Sequence, residues 1–275
     1  MRARSLLAPA LLLTALAAAD ALSDLPILRQ AMKERGPRAD EAKAQGARVE
    51  LTAGGRSFHV LWLPEKSDPL NPPPLIVTLH GHDGWAFEAF HLWHPAAQER
   101  GFGILAIQWW LGKGEAPEDY LTPEEVYRDV DETLKRLHCR SGQVLFHGFS
   151  RGAANTYPVA ALDRAAKGAH WFSLVVSDAG KANLDYPPVR DIDKGVYGPK
   201  PFEGLHWVTY AGGKDTNPQR DGIEGMRETA DWIRKLGGTV DKALEDPASG
   251  HGGFHQNPKN CQAALDAFQA RLKAK

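Results

Sequence analysis

Ser150 is the residue whose setting most clearly suggests chemistry. It stands at the centre of Gly148-Phe149-Ser150-Arg151-Gly152, between the apolar run Val144 to Phe146 and a helix-forming segment that opens near Ala153. A hydroxyl is a poor nucleophile until a base takes its proton, and the usual base is an imidazole oriented by a carboxylate. Two later residues supply those groups in the order serine, acid, histidine. Asp215 lies in the Gly-rich turn "YAGGKDTNP" and His251 in "PASGHGGFH". Taken singly, Asp215 reads as a turn or cap residue, His251 as a solvated loop histidine, and Ser150 as a helix cap. Taken together they read as a nucleophile, its base and the acid that orients the base. Asp178, ending "LVVSDAG", is a rival for the acid, and His255 a rival for the base. His251 is preferred because the glycines flanking it let its loop approach the serine closely.

Acyl chemistry also needs N–H donors for a developing oxyanion. The amide of Arg151, directly after the nucleophile, is one candidate. The second comes from "LHGHDGW", as the amide of His82 or Asp83, where Gly81 and Gly84 let the backbone fold close to a substrate. Trp85, Trp109 and Trp110 each follow the end of an apolar run and are candidates to line an acyl or aromatic pocket, against the plainer reading that at least one packs beneath a loop. Lys181 to Glu203 is a long Pro-rich insert, read as a small lid or binding loop with no room for a separate cap domain.

These residues must be held by regular elements. "LIVTLHG", "FGILAIQWW", Val144 to Phe146, "WFSLVVSDAG", "LHWVTYAGG" and "TVDKALED" read as strands. Helical segments lie between them, at Ala86 to Arg100, from Thr122 to about His138, from about Ala153, and at Met226 to Leu236; a last one covers Pro258 to Leu272. Thr122-Pro123-Glu124-Glu125 is a capping box with proline at the first helical position. Alternation of strand and helix predicts an α/β fold with a mostly parallel sheet and helices on both faces. "VELTAGGRSFHVLWLP" adds an antiparallel hairpin at one edge. In such a sheet ligands gather at the carboxyl ends of the strands, where Ser150, Asp215 and His251 all fall. One domain is expected over residues 48–275, preceded by a polar, weakly helical lead-in over 22–47.

His80-Gly81, Gly148-Phe149-Ser150-Arg151-Gly152, Gly213-Lys214-Asp215 and Gly250-His251 together resemble the α/β-hydrolase family. The resemblance runs from about residue 48 to the C-terminus. It implies an eight-stranded sheet, a Ser-His-Asp mechanism and no cofactor. Within the family the chain looks most like compact exported esterases similar to polyhydroxybutyrate depolymerases and feruloyl esterases. Those relatives often carry a small residue where Arg151 stands, so Arg151 either binds an anionic group or pairs with Asp83 or another surface acid.

Composition narrows the partners. Hydrophobic residues make up 43% of 275, enough for a sizeable core, and the formal charge is −1. No basic stripe suggests nucleic acid. Arg2 and Arg4, the apolar run Leu6 to Ala19 and Ala19-Asp20-Ala21 read as a signal peptide over residues 1–21, giving an exported protein with no stable membrane insertion after cleavage. An exported protein could pair Cys139 with Cys261, although the two are expected near opposite ends of the sheet, far apart for a disulfide. His80-Gly81-His82-Asp83 lacks the spacer of a zinc-hydrolase cluster. His251 and His255 have the spacing of a helical zinc pair, but two glycines and no glutamate lie between them. No metal site is therefore assigned. The expected substrate is a small or polymeric ester; the alternatives are an amide or peptide cut by the same triad, or a non-catalytic binding domain on the same fold.

Overall fold

The computed structural model describes residues 21–273. The apolar leader lies, save for Ala21, outside the described residues. Eight strands form one sheet: β1 (Arg48–Leu51), β2 (Phe58–Trp62), β3 (Leu75–Leu79), β4 (Gly103–Ile107), β5 (Val144–Phe149), β6 (Phe172–Asp178), β7 (His206–Gly212) and β8 (Thr239–Asp246). Their order across the sheet is β1-β2-β4-β3-β5-β6-β7-β8. β1 and β2 form the antiparallel hairpin, β2 pairs antiparallel with β4, and every later pairing is parallel. β3, β4 and β6 are buried along their whole length, which is why their sequences are continuous apolar runs rather than alternating ones. β8, at the free edge, carries charges and is largely exposed.

The helices cover both faces. α2 (Ala86–Arg100) packs on β3 and β4, and α8 (Pro258–Lys273) on β6. Phe102 at the end of α2 meets Phe268 of α8, with ring centroids 5.2 Å apart, so these two helices share a face. On the other face α3 (Pro123–Arg136) packs against α4 (Arg151–Ala165), which lies on β5 and β6. α6 (Ile223–Lys235) completes that layer over β7 and β8, its Trp232 meeting Tyr157 of α4 edge-on. α3 begins as its sequence directs. Thr122 Oγ1 accepts the Glu125 amide at 3.2 Å, and Glu125 accepts the Thr122 amide at 2.9 Å. Val126, Val130, Thr133 and Leu134 then form its buried stripe.

The lead-in is more ordered than its polar composition suggests. It forms α1 (Pro26–Ala44), broken at Arg35 just before Pro37, and packs on α2. Its buried stripe is Ile27, Ala31, Ala39 and Ala42, mostly small side chains that let the helix lie close while adding little hydrophobic signal. The expected lid contains a short helix, α5 (Pro187–Asp193), anchored by buried Val189 and Ile192. Among the described residues no helix is long and apolar enough to cross a membrane. Both cysteines are free, Cys261 buried and Cys139 partly so.

Candidate active site

β5 ends directly at Ser150, whose φ of 54° and ψ of −118° turn the chain sharply into α4. Its amide donates to the Asp178 carbonyl of β6 at 2.7 Å, and its carbonyl accepts the Ala153 amide at 2.9 Å. The turn tolerates almost no side chains beside it. A Cβ on Gly152 would lie 2.6 Å from the His80 carbonyl oxygen and 2.8 Å from that of Leu79. One on Gly148 would lie 2.6 Å from Thr156 Cγ2. The two glycines of the motif are therefore there because β5, the β3 end and α4 approach one another closely. Gly180, which the sequence reading passed over, is bound the same way: a Cβ there would strike the Ser150 carbonyl oxygen.

His251 lies on the turn after β8, just ahead of the short helix α7 (Gly253–Gln256). Its Nε2 is 2.8 Å from Ser150 Oγ, and its Nδ1 is 2.7 Å from Asp215 Oδ2. A carboxylate oxygen accepts, so Nδ1 carries the ring proton and Nε2 is left to accept the proton of the serine. Asp215 is buried, and its other oxygen takes the Asn217 amide at 2.9 Å. The turns that carry Asp215 and His251 are also joined through backbone. Gly213 donates to the Asp246 carbonyl at 2.8 Å and Lys214 to that of Ser249 at 2.9 Å. Their relative position is thus set by main chain, not only by the side-chain pair.

The candidate oxyanion donors border the serine. Arg151 opens α4, and its amide sits at the positive end of that helix. Gly81 lies against the turn: a Cβ there would be 3.4 Å from Ser150 Cβ. This brings the backbone of His82 and Asp83, the latter with φ 51°, to the same rim. The amides of Arg151, His82 and Asp83 donate no hydrogen bond to another group among the described residues.

The rival acid and base occupy a separate cluster. Asp178 is fully buried; His255 Nε2 and His147 Nε2 each lie 3.5 Å from its Oδ2. Burial raises the Asp178 carboxyl well above its ordinary range, lowers His147 far below 6.5, and lowers His255 to about 4. Of the three groups, the two imidazoles are accordingly neutral near pH 7, and burial drives the carboxyl towards its protonated form. They are also close enough to suggest a metal site, but His147 is not disposed to be a ligand. Trp93 Nε1, which can only donate, points at His147 Nδ1 at 3.2 Å, so the proton of the neutral ring is on Nε2, facing Asp178. A second group of possible ligands, Asp215, Asp221 and His251, includes the hydrogen-bonded acid and base already described. His147 escaped the sequence reading, although a histidine inside the apolar run "VLFHGF" is itself a signal of a buried polar contact.

A cavity of about 590 Å³ opens beside Ser150, between the loop preceding α3 and the segment leading into α5. Of the three candidate tryptophans only Trp109 lines it. Trp85 and Trp110 instead pack edge-on against each other at 5.4 Å, both buried, and Trp110 Nε1 donates to the carbonyls of Lys113 and Gly114. Their loops fold back on the core because two indoles gain more from mutual burial than from standing in an open site. Tyr120 and Tyr186, neither foreseen from sequence, take their place on the cavity wall. Tyr120 Oη lies 2.6 Å from His82 Nδ1.

No family model and no curated protein matches the sequence. Solved structures do. The protein TT1662 from Thermus thermophilus superposes with a TM-score of 0.63 at 20% identity, covering 83% of this chain and 99% of its own. An esterase from the fungus Rhizomucor miehei gives 0.62 at 14% identity, covering 94% and 95%. An esterase from Pyrobaculum calidifontis gives 0.59 at 16%, covering 90% and 97%. With the strand order above, these likenesses decide the architecture. The chain has the α/β-hydrolase fold. Within that fold Ser150 occupies the sharp strand-to-helix turn after β5, which presents its side chain above the carboxyl edge of the sheet.

Proposed function

We propose that the protein is a serine hydrolase that cleaves carboxylic esters. The observation that carries this reading is the continuous chain Ser150 Oγ to His251 Nε2 at 2.8 Å and His251 Nδ1 to Asp215 Oδ2 at 2.7 Å, with Ser150 lining the cavity. The esterase activity named for the Rhizomucor and Pyrobaculum proteins supports the choice of ester as substrate.

Ser150 Oγ attacks the ester carbonyl carbon as His251 Nε2 takes its proton. Asp215 keeps the ring in the right tautomer and stabilises the imidazolium. The carbonyl oxygen, now negative, is received by the Arg151 amide and by that of His82 or Asp83. His251 returns the proton to the departing alkoxide, leaving an acyl-serine. Water, deprotonated by His251, then attacks the acyl carbon, and the carboxylic acid leaves as Ser150 regains its proton. A fluorophosphonate probe tests the reading. Covalent labelling of the wild type, lost in Ser150→Ala and in His251→Ala, is expected alongside hydrolysis of simple aryl esters. A folded wild-type protein that takes no label and cleaves neither esters nor the matching amides would overturn it; cleavage of amides alone would reassign it as an amidase. We further read the protein as exported, from the sequence of residues 1–21 alone; the N-terminal residue of the protein recovered from its native host is the check.

A further inference from the structure

We infer that the substrate carries a carboxylate of its own close to the scissile ester, and that the Arg151 guanidinium binds it. The inference rests on the hydrolase reading and adds a substrate class to it. Three cationic side chains of Arg or Lys line the cavity: Arg151, Lys181 and Arg220. Two are neutralised by the protein. Lys181 pairs with Glu228, and Arg220 Nε donates to Asp221 Oδ2 at 2.7 Å. Arg151 has no carboxylate partner among the described residues; in particular it does not pair with Asp83.

Its contacts are all with uncharged groups, and they fix it in place. The guanidinium carbon lies 4.1 Å from the centroid of the Tyr120 ring. Nη2 donates to the Glu115 carbonyl at 2.6 Å, and Nη1 reaches Tyr120 Oη at 3.3 Å. A guanidinium has five N–H groups, so donors remain unused on a side chain whose rotamer is already set. Tyr120 is in turn held by His82, so the platform beneath the cation is rigid. Because Arg151 follows the nucleophile directly, its side chain leaves the backbone at the oxyanion rim. Anything it binds lies within one side-chain length of the reacting carbonyl.

The surroundings select the charge of that ligand. Glu115 and Glu124 also line the cavity. One guanidinium can balance a single negative charge, but a doubly charged phosphate would meet these two carboxylates with no second unpaired Arg or Lys in the cavity lining among the described residues. A planar monoanion that takes two parallel N–H bonds suits the remaining donors. A monoester of a dicarboxylic acid, or an ester of a hydroxy-acid, has this form.

The test compares pairs of esters that differ only in that charge, on the full chain. For the acyl side the pair is the monomethyl ester of glutaric acid and the same ester with its free acid converted to a primary amide. For the alcohol side it is the acetyl ester of para-hydroxybenzoate against that of para-hydroxybenzamide. In at least one pair the wild type is expected to favour the acid in kcat/KM by about tenfold to a hundredfold, the value of a charge-assisted hydrogen-bond pair. The preference is expected to arise in KM. In Arg151→Met the ratio should collapse towards one, whereas Arg151→Lys should keep part of it. Reading a ratio removes any general loss of activity that a change beside the nucleophile brings. Calorimetric binding of the same pairs to Ser150→Ala gives the ratio without turnover, and covers the case in which Arg151→Met does not fold. Wild-type ratios near one in both pairs, or a ratio unaltered in Arg151→Met, overturn the carboxylate assignment while leaving the hydrolase reading intact. Absence of turnover on all four esters counts against the hydrolase reading instead, and the binding ratio then decides the carboxylate assignment alone.

Discussion

Asp178 Oδ2 faces His255 Nε2 at 3.5 Å, while the backbone carbonyl of the same aspartate holds the Ser150 amide at 2.7 Å. The aspartate therefore meets Ser150 through its main chain, while its carboxyl faces the two buried histidines without a hydrogen bond to either. This separates two carboxylates that both follow strand ends. Asp215→Asn should lower kcat/KM roughly ten-thousandfold, because an amide nitrogen opposite Nδ1 favours the wrong tautomer of His251. Asp178→Asn keeps the shape of a side chain that faces His147 and His255 and not His251, and should cost at least a hundredfold less. Steady-state kinetics on both variants, with circular dichroism to confirm folding, checks the contrast. A larger loss in Asp178→Asn would reverse the assignment of the acid.

A second buried histidine governs stability instead of chemistry. His59 on β2 lies 2.9 Å from Asp129 of α3 and 3.4 Å from Glu50 of β1. Burial alone would lower its pKa, but the hydrogen bonds to these two carboxylates outweigh burial and raise it to about 9. Glu50, hydrogen-bonded to His59 and beside Arg136, is held at about 2. A raised histidine contributes stability in full below its ordinary value of 6.5 and loses it as pH climbs through about 9. A lowered glutamate contributes above its ordinary 4.5 and loses that as pH falls through about 2. The stability difference between wild type and His59→Gln should therefore be widest between pH 4.5 and 6.5 and narrow towards pH 9. Denaturant titrations across that range measure it. A difference that grew on the alkaline side would refute the charged pairing.

Trp85 and Trp110 give a prediction about packing. Trp85 is fully buried against Trp110, away from the cavity. Trp85→Ala should destabilise the fold by about 3–5 kcal/mol, as large aromatic deletions in a core do. A thermal or denaturant melt reads this directly. Full stability with an altered substrate profile would instead return Trp85 to the binding surface.

Much of this architecture was legible in the sequence because its signals are local. Thr122-Pro123 with Glu125 marks the start of α3, Gly101 closes α2 at a φ of 68°, and the apolar runs of the central strands imply burial on both faces. Ser150, Asp215 and His251 each follow a strand end, so a parallel sheet brings them to one edge without further information. What could not be read depends on contacts between segments far apart in the chain. The approach of Asp178 to His255 requires that β6 lie beside β5 and that α7 fold over both. The edge-on packing of Trp85 against Trp110 needs two loops to turn inward, and no periodicity marks that. Tyr120 bridges His82 and Arg151 from a segment with no regular pattern at all. α1 leaves only a weak mark in the sequence for a different reason: a stripe rich in alanine buries a helix well while scarcely raising its hydropathy.

The backbone of Ser150 has a price in folding. A φ of 54° with ψ of −118° is a region that residues with a Cβ avoid, at a cost of about 1–3 kcal/mol. Glycine is free of that penalty. Ser150→Gly should therefore melt at a higher temperature than the natural protein while being inert, so the chain is less robust than its own scaffold permits, and the shortfall is concentrated at the residue proposed to attack the substrate.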